Sequence, residues 1–97
     1  MQILESDIER HLVRKVRDLG GRAYKFVSPT NRGVSDRLVV LPGGEIWFVE
    51  VKQAGGKVSP LQRVFFDEMR RLGTNYALLW SKEEVDAFIE ARSREGR

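Results

Sequence analysis

The sequence has no cysteine, one histidine and no long apolar run, and each shortage narrows what the chain can be. Without cysteine there is neither a disulfide framework nor a thiolate zinc site. The lone His11 cannot build a histidine-rich metal centre. Any metal must then be held by oxygen, which points to magnesium, manganese or calcium. No apolar stretch reaches the roughly eighteen residues of a membrane span, and Met1-Gln2-Ile3-Leu4-Glu5 lacks the basic-then-apolar order of a secretion signal. A soluble, intracellular, cytoplasmic protein without a membrane partner is the expectation. Charge of one sign is also scarce. The 17 Lys and Arg outnumber the 14 Asp and Glu by only +3, which permits a nucleic-acid partner without requiring one. The mixture of signs is more informative, because acids placed where phosphate must approach need a cation between them.

What is present fits one globular domain spanning residues 1–97, with 41% hydrophobic and 32% charged residues. A chain this short buries only about two-thirds of its unfolded surface, so pairing with a second copy would help it. Leu4, Ile8, Leu12, Val16 and Leu19, with Val13, form an apolar stripe of helical period that ends at Gly20-Gly21. Three strands are predicted next, over 22–27, 36–41 and 45–52, separated by the polar cluster 28–33 and by Pro42-Gly43-Gly44. The third strand is apolar on consecutive residues from Ile46 to Val49, so it should be central and covered on both faces. Ser59 caps a second helix with Pro60 in its first position. Leu61, Val64, Phe65, Met69 and Leu72 should face the core, and Gly73 should end the helix. A fourth strand, 76–80, and a helix from about Lys82 follow, with Val85, Phe88 and Ile89 inward and a frayed basic tail over 92–97. The order αβββαβα describes an α/β domain with a mixed sheet between helices.

The hairpin carries the chemistry. If Pro42-Gly43-Gly44 is a three-residue loop, Leu41 faces Glu45, and five steps further along each strand Asp36 faces Glu50. Opposed residues share a face with Cβ atoms about 4.5–5.5 Å apart, and Lys52 points to that same face. A two-residue loop would shift the register and separate them. Two carboxylates this close repel and are costly to desolvate. A divalent cation resolves the conflict and can polarise a phosphodiester, acidify a water and steady the leaving oxygen. Lys52 would orient the attacking water or neutralise charge on the phosphate, and the Val51 carbonyl could be a further ligand. Against this stands the common alternative that Glu-x-Lys on a strand is a surface ion pair. Trp47 and Trp80 read as core residues rather than base-stacking platforms, and His11 as a surface residue rather than a general base.

Gly33-Val34-Ser35-Asp36 followed by Glu50-Val51-Lys52 resembles the PD-(D/E)XK nuclease signature, with Ser35 where proline is common. The run from Lys25 through Ser28-Pro29-Thr30-Asn31-Arg32-Gly33 to Arg37, together with Ser59-Pro60-Leu61-Gln62, resembles the VRR-NUC domain. These are the virus-type replication-repair nucleases, and the likeness is to their stand-alone phage or bacterial members. It extends from about Glu5 to Phe88. It implies a restriction-endonuclease-like core and Mg²⁺- or Mn²⁺-dependent DNA cleavage, selective for branched DNA such as Holliday junctions, by a homodimer. It implies metal ligation by Asp36 and Glu50 with catalysis assisted by Lys52. It also implies a supporting glutamate on the first helix, Glu9 or Glu5, and an active-site role for Gln62 beside its capping-box spacing from Ser59. Arg32, Arg37, Lys57 and Arg63 are candidate phosphate contacts, though each alone could be a solvated base. A non-catalytic DNA-structure-binding module of the same fold, and a small interaction protein with a chance signature, are the rival expectations.

Overall fold

The structure is a computed structural model that describes residues 2–26 and 36–95, with side chains described as far as residue 93. Seven elements follow in the expected order: α1 (Glu5–Asp18), β1 (Arg22–Lys25), β2 (Arg37–Val40), β3 (Ile46–Val51), α2 (Pro60–Arg71), β4 (Tyr76–Leu79) and α3 (Lys82–Glu95). The strands form one mixed sheet in the order β1-β2-β3-β4. β1, β2 and β3 are antiparallel neighbours, and β3 pairs parallel with β4. The parallel pair follows from α2, which carries the chain back across the sheet between them.

The hairpin register is the one that a three-residue loop requires. Leu41 N–H donates to the Glu45 carbonyl at 2.8 Å, and Arg37 stands opposite Val49. Gly43 and Gly44 make this possible, with φ of 88° and 84° in the left-handed region that side chains with a Cβ avoid. Alternation along the strands then sorts the side chains by face. Ala23, Val39, Val49, Val51 and Leu79 join Ile8, Leu12 and Val16 of α1 and Val85 of α3 in the buried core. Burying each large aliphatic chain there contributes about 1.5–3 kcal/mol. The opposite face carries Phe48 and Glu50 and meets α2, where Phe48 packs edge-on against Phe65 at 5.4 Å between ring centroids.

Four expectations change on contact with the packing. α2 turns Phe66 inward onto Tyr76, at 5.3 Å, and leaves Leu61, Val64 and Leu72 exposed. Its apolar residues cover more of the circumference than one contact face can bury, and the ring stack fixes which part is used. Leu4 is the exposed N-cap of α1 rather than a core residue. Ile46 is exposed at the start of β3, so cover on both faces begins one residue later. α3 also continues to Glu95, well into the segment expected to fray. Arg92 is one reason: its guanidinium lies 4.7 Å from the Trp47 ring centroid and 3.3 Å from Glu45. Met1, residues 27–35, where the polar cluster was expected to turn, and the last two residues lie outside the described residues.

Candidate active site

The register sets Asp36 beside Glu50 at the end of the hairpin remote from the turn. The Asp36 amide donates to Glu50 Oε1 at 3.3 Å, and Lys52 Nζ stands 3.8 Å from Glu50 Oε2. Glu50 is 1% exposed and is the buried charged residue of the described chain. Burial pushes its carboxyl up to about 7, the Asp36 charge pushes the same way, and Lys52 opposes both. The pair is therefore under-compensated in the metal-free protein. Lys52 N–H is turned to β4, where it donates to the Leu79 carbonyl at 2.9 Å. Strand alternation accordingly turns the Val51 carbonyl toward the β2 side, where Asp36 lies.

These donors are all oxygen, which fits a hard divalent cation. Among the described residues no group of three or more acidic or histidine side chains forms a complete metal cage. Magnesium does not need one, since it commonly binds through one or two carboxylates plus water and substrate phosphate.

The helix glutamates are placed differently from each other. Glu9 is engaged on the α1 side of the sheet, 2.7 Å from Arg37 Nε and 3.6 Å from Lys25 Nζ. Glu5 lies one turn nearer the end of β3, and its amide donates to Gln53 Oε1 at 2.9 Å. Gln53 was not among the expected site residues, although its position directly after Lys52 was the available signal. Gln62 completes the capping box with Ser59, its Oε1 accepting from the Ser59 amide at 3.0 Å; its Nε2 makes no hydrogen bond among the described residues.

The candidate phosphate contacts divide. Lys57 and Arg63 are exposed, and Arg32 lies outside the described residues. Arg37 turns inward instead, with a side chain 18% exposed that holds Glu9 and donates from Nη1 to the Ala23 carbonyl at 3.2 Å. Arg37→Ala is therefore expected to lower stability by about 2 kcal/mol, since it removes charge-assisted bonds at a part-buried site. Urea unfolding of the metal-free protein measures this; an unchanged midpoint would show the arginine to be dispensable to the fold. His11 is 2.7 Å from Asp86 on α3, and Arg14 donates to its other ring nitrogen at 3.1 Å. It helps to join two helices rather than to furnish a base beside Asp36.

Fold and site geometry together define a restriction-endonuclease-like α/β domain. A scan against protein-family models finds no match. Among curated proteins, the chain is 51% identical over 81 residues to "Putative nuclease p44" of Acyrthosiphon pisum secondary endosymbiont phage 1, across 84% of this chain and 87% of that one. Among solved structures, a chain described as a VRR_NUC domain superposes with a TM-score of 0.83 at 34% identity, over 89% of this chain and 94% of the other. The chain belongs to the VRR-NUC family of nucleases.

Proposed function

We propose that the protein is a Mg²⁺- or Mn²⁺-dependent DNA endonuclease that cuts branched DNA, four-way junctions included. The observation that carries this reading is the buried Glu50 set against Asp36 with Lys52 at 3.8 Å. Such a cluster is costly to keep without a cation. Asp36, Glu50 and the Val51 carbonyl would hold the ion, which when bound supplies positive charge to polarise the phosphodiester and acidify water. Lys52 orients the attacking water and offsets charge growing on the phosphoryl oxygens. Glu9 is already neutralised by two cations, so the outer supporting role falls to Glu5. Gln62 is held at the site end of α2 by its cap and presents its amide nitrogen to the substrate, while Lys57 and Arg63 contact flanking phosphates. The direct test is cleavage of matched duplex, flap and four-way DNA with and without magnesium. Turnover that is independent of added divalent metal, or no turnover on any of the three, would defeat the reading.

The proposal includes a homodimer, because cutting a junction on two strands calls for two sites related by symmetry. Tyr24 and Ile46 on the sheet, Leu61 and Val64 on α2, and Leu72 at its C-cap are exposed apolar side chains available to such a contact. Sedimentation at micromolar concentration should show a dimer. Ile46→Lys or Val64→Lys should shift it toward monomer and slow paired junction cleavage more than single-strand nicking. A strict monomer that cuts linear duplex as fast as junctions would refute this assembly.

A further inference from the structure

We propose that a hollow beside the candidate active site, walled by Trp80 and Ile3, receives a nucleobase unstacked from the substrate strand next to the phosphodiester that is cut. The inference rests on the nuclease reading and adds a recognition site to it. The hollow has a volume of ≈ 340 Å³ and lies between the N-terminal arm, the β3–α2 loop and the β4–α3 connection, with Ile8, Ala54, Lys82 and Glu83 also in its lining. That volume is near the low end for small-ligand sites and suits one base rather than a base pair. Its walls are tied together, since Gln2 Nε2 donates to the Ala54 carbonyl at 3.1 Å.

Position and chemistry both select a base as the occupant. Ala54 is two residues beyond Lys52, so their Cα atoms are at most about 7.6 Å apart, or roughly two nucleotide steps of about 3.4 Å along a strand. Trp80 directly follows Leu79, whose carbonyl accepts the Lys52 amide at 2.9 Å. Of the nine aromatic residues, seven pack ring on ring: Phe26, Phe48, Phe65, Phe66 and Tyr76 in one chain, Trp47 with Phe88 in another. Trp80 belongs to neither group and lines the hollow instead. An uncommitted indole beside apolar Ile3 offers a stacking surface for any base. Lys82 also borders an adjoining cleft lined by Arg10, Arg14, His11 and Asp7; Asp7 pairs with Arg10 at 2.7 Å, and the remaining positive charge of Arg14 and Lys82 would face the sugar–phosphate chain leaving the hollow. A base inside a continuous duplex must first be unstacked at a cost of a few kcal/mol, whereas a nucleotide at a branch point is already loosened. The hollow thus gives a physical source for a preference for branched DNA.

The test uses whichever branched substrate the parent cuts fastest, with an abasic nucleotide placed in turn at each position flanking the scissile bond. The parent should lose roughly tenfold in kcat/KM at one of these positions, the scale of one stacked base. Trp80→Ala and Ile3→Ser should each cut the natural substrate about tenfold less efficiently and become indifferent to the abasic change, through KM more than kcat. Ile3 lies on the exposed arm ahead of α1, so its replacement answers the question even if Trp80→Ala folds poorly. A parent that cuts abasic and natural substrates equally would overturn the hollow and leave the nuclease reading intact. The same holds if Ile3→Ser keeps the full abasic sensitivity. A parent that cuts no DNA would overturn both.

Discussion

Glu50→Gln is expected to abolish cleavage and, at the same time, to make the metal-free protein more stable above neutral pH by about 3 kcal/mol. The two effects have one cause. Glu50 is 1% exposed, and its carboxyl is pushed from 4.5 to about 7, by burial first and by Asp36 second. A group whose folded pKa is raised binds its proton more tightly in the folded state, so stability falls as pH rises from about 4.5 to about 7 and then levels. The difference of about 2.5 units at 1.36 kcal/mol each gives the expected magnitude. A glutamine keeps the side chain neutral at every pH, so parent and variant should be equally stable near pH 4, below the unfolded pKa, and diverge above it. Comparing the two proteins cancels the titration of every group that does not interact with Glu50. Asp36→Asn should act the same way but less strongly, because it removes the smaller of the two causes and leaves burial in place. Magnesium should narrow the gap by stabilising the parent and not the variant. Urea unfolding at pH 4 and pH 8.5, with and without magnesium, measures all of this. A Glu50→Gln protein that is less stable than the parent at pH 8.5, or that cuts DNA at the parental rate, would remove Glu50 from the proposed site.

How much of this could be read from the sequence depends on how local each signal is. The hairpin register was legible because Pro42-Gly43-Gly44 admits few conformations, and a fixed turn propagates its register along both strands. The pairing of Arg37 with Val49 is the consequence. The caps of α2 were legible for the same reason, since Ser59, Pro60 and Gln62 act within one helical turn. The buried side of α2 was not. Leu61, Val64 and Leu72 match a helical stripe as well as Phe65, Phe66 and Met69 do, and only Tyr76 on a distant strand selects between them. The pairing of Arg37 with Glu9 was not legible, because their 2.7 Å contact joins residues 28 apart in the chain. Trp80 reads as one more core aromatic until seven of the other eight rings are seen to pack without it.

Lys52→Ala should separate metal binding from turnover. The Lys52 side chain is 15% exposed, with its ammonium 3.8 Å from Glu50 Oε2. In the proposed mechanism it touches the water and the phosphoryl oxygens, so its loss should lower kcat by about a thousandfold, within the range for a positioned proton-handling or charge-stabilising group. Metal affinity should respond differently. A lysine ammonium repels a divalent cation, so above the Glu50 titration range its removal should leave magnesium binding unchanged or tighter. Below that range the sign reverses. Lys52 holds the Glu50 carboxyl down, and without it more of Glu50 is protonated near neutral pH and binding weakens. Calorimetric titration of magnesium at pH 7 and pH 8.5 should therefore show affinity lost at the lower pH and recovered at the higher, while kcat stays low at both. The pH 8.5 measurement decides. If turnover returns there together with affinity, Lys52 serves only to keep Glu50 ionised and the water-orienting role is wrong. If affinity is absent at pH 8.5 while turnover persists, the cation is not held by Asp36 and Glu50, and the proposed metal site fails as well.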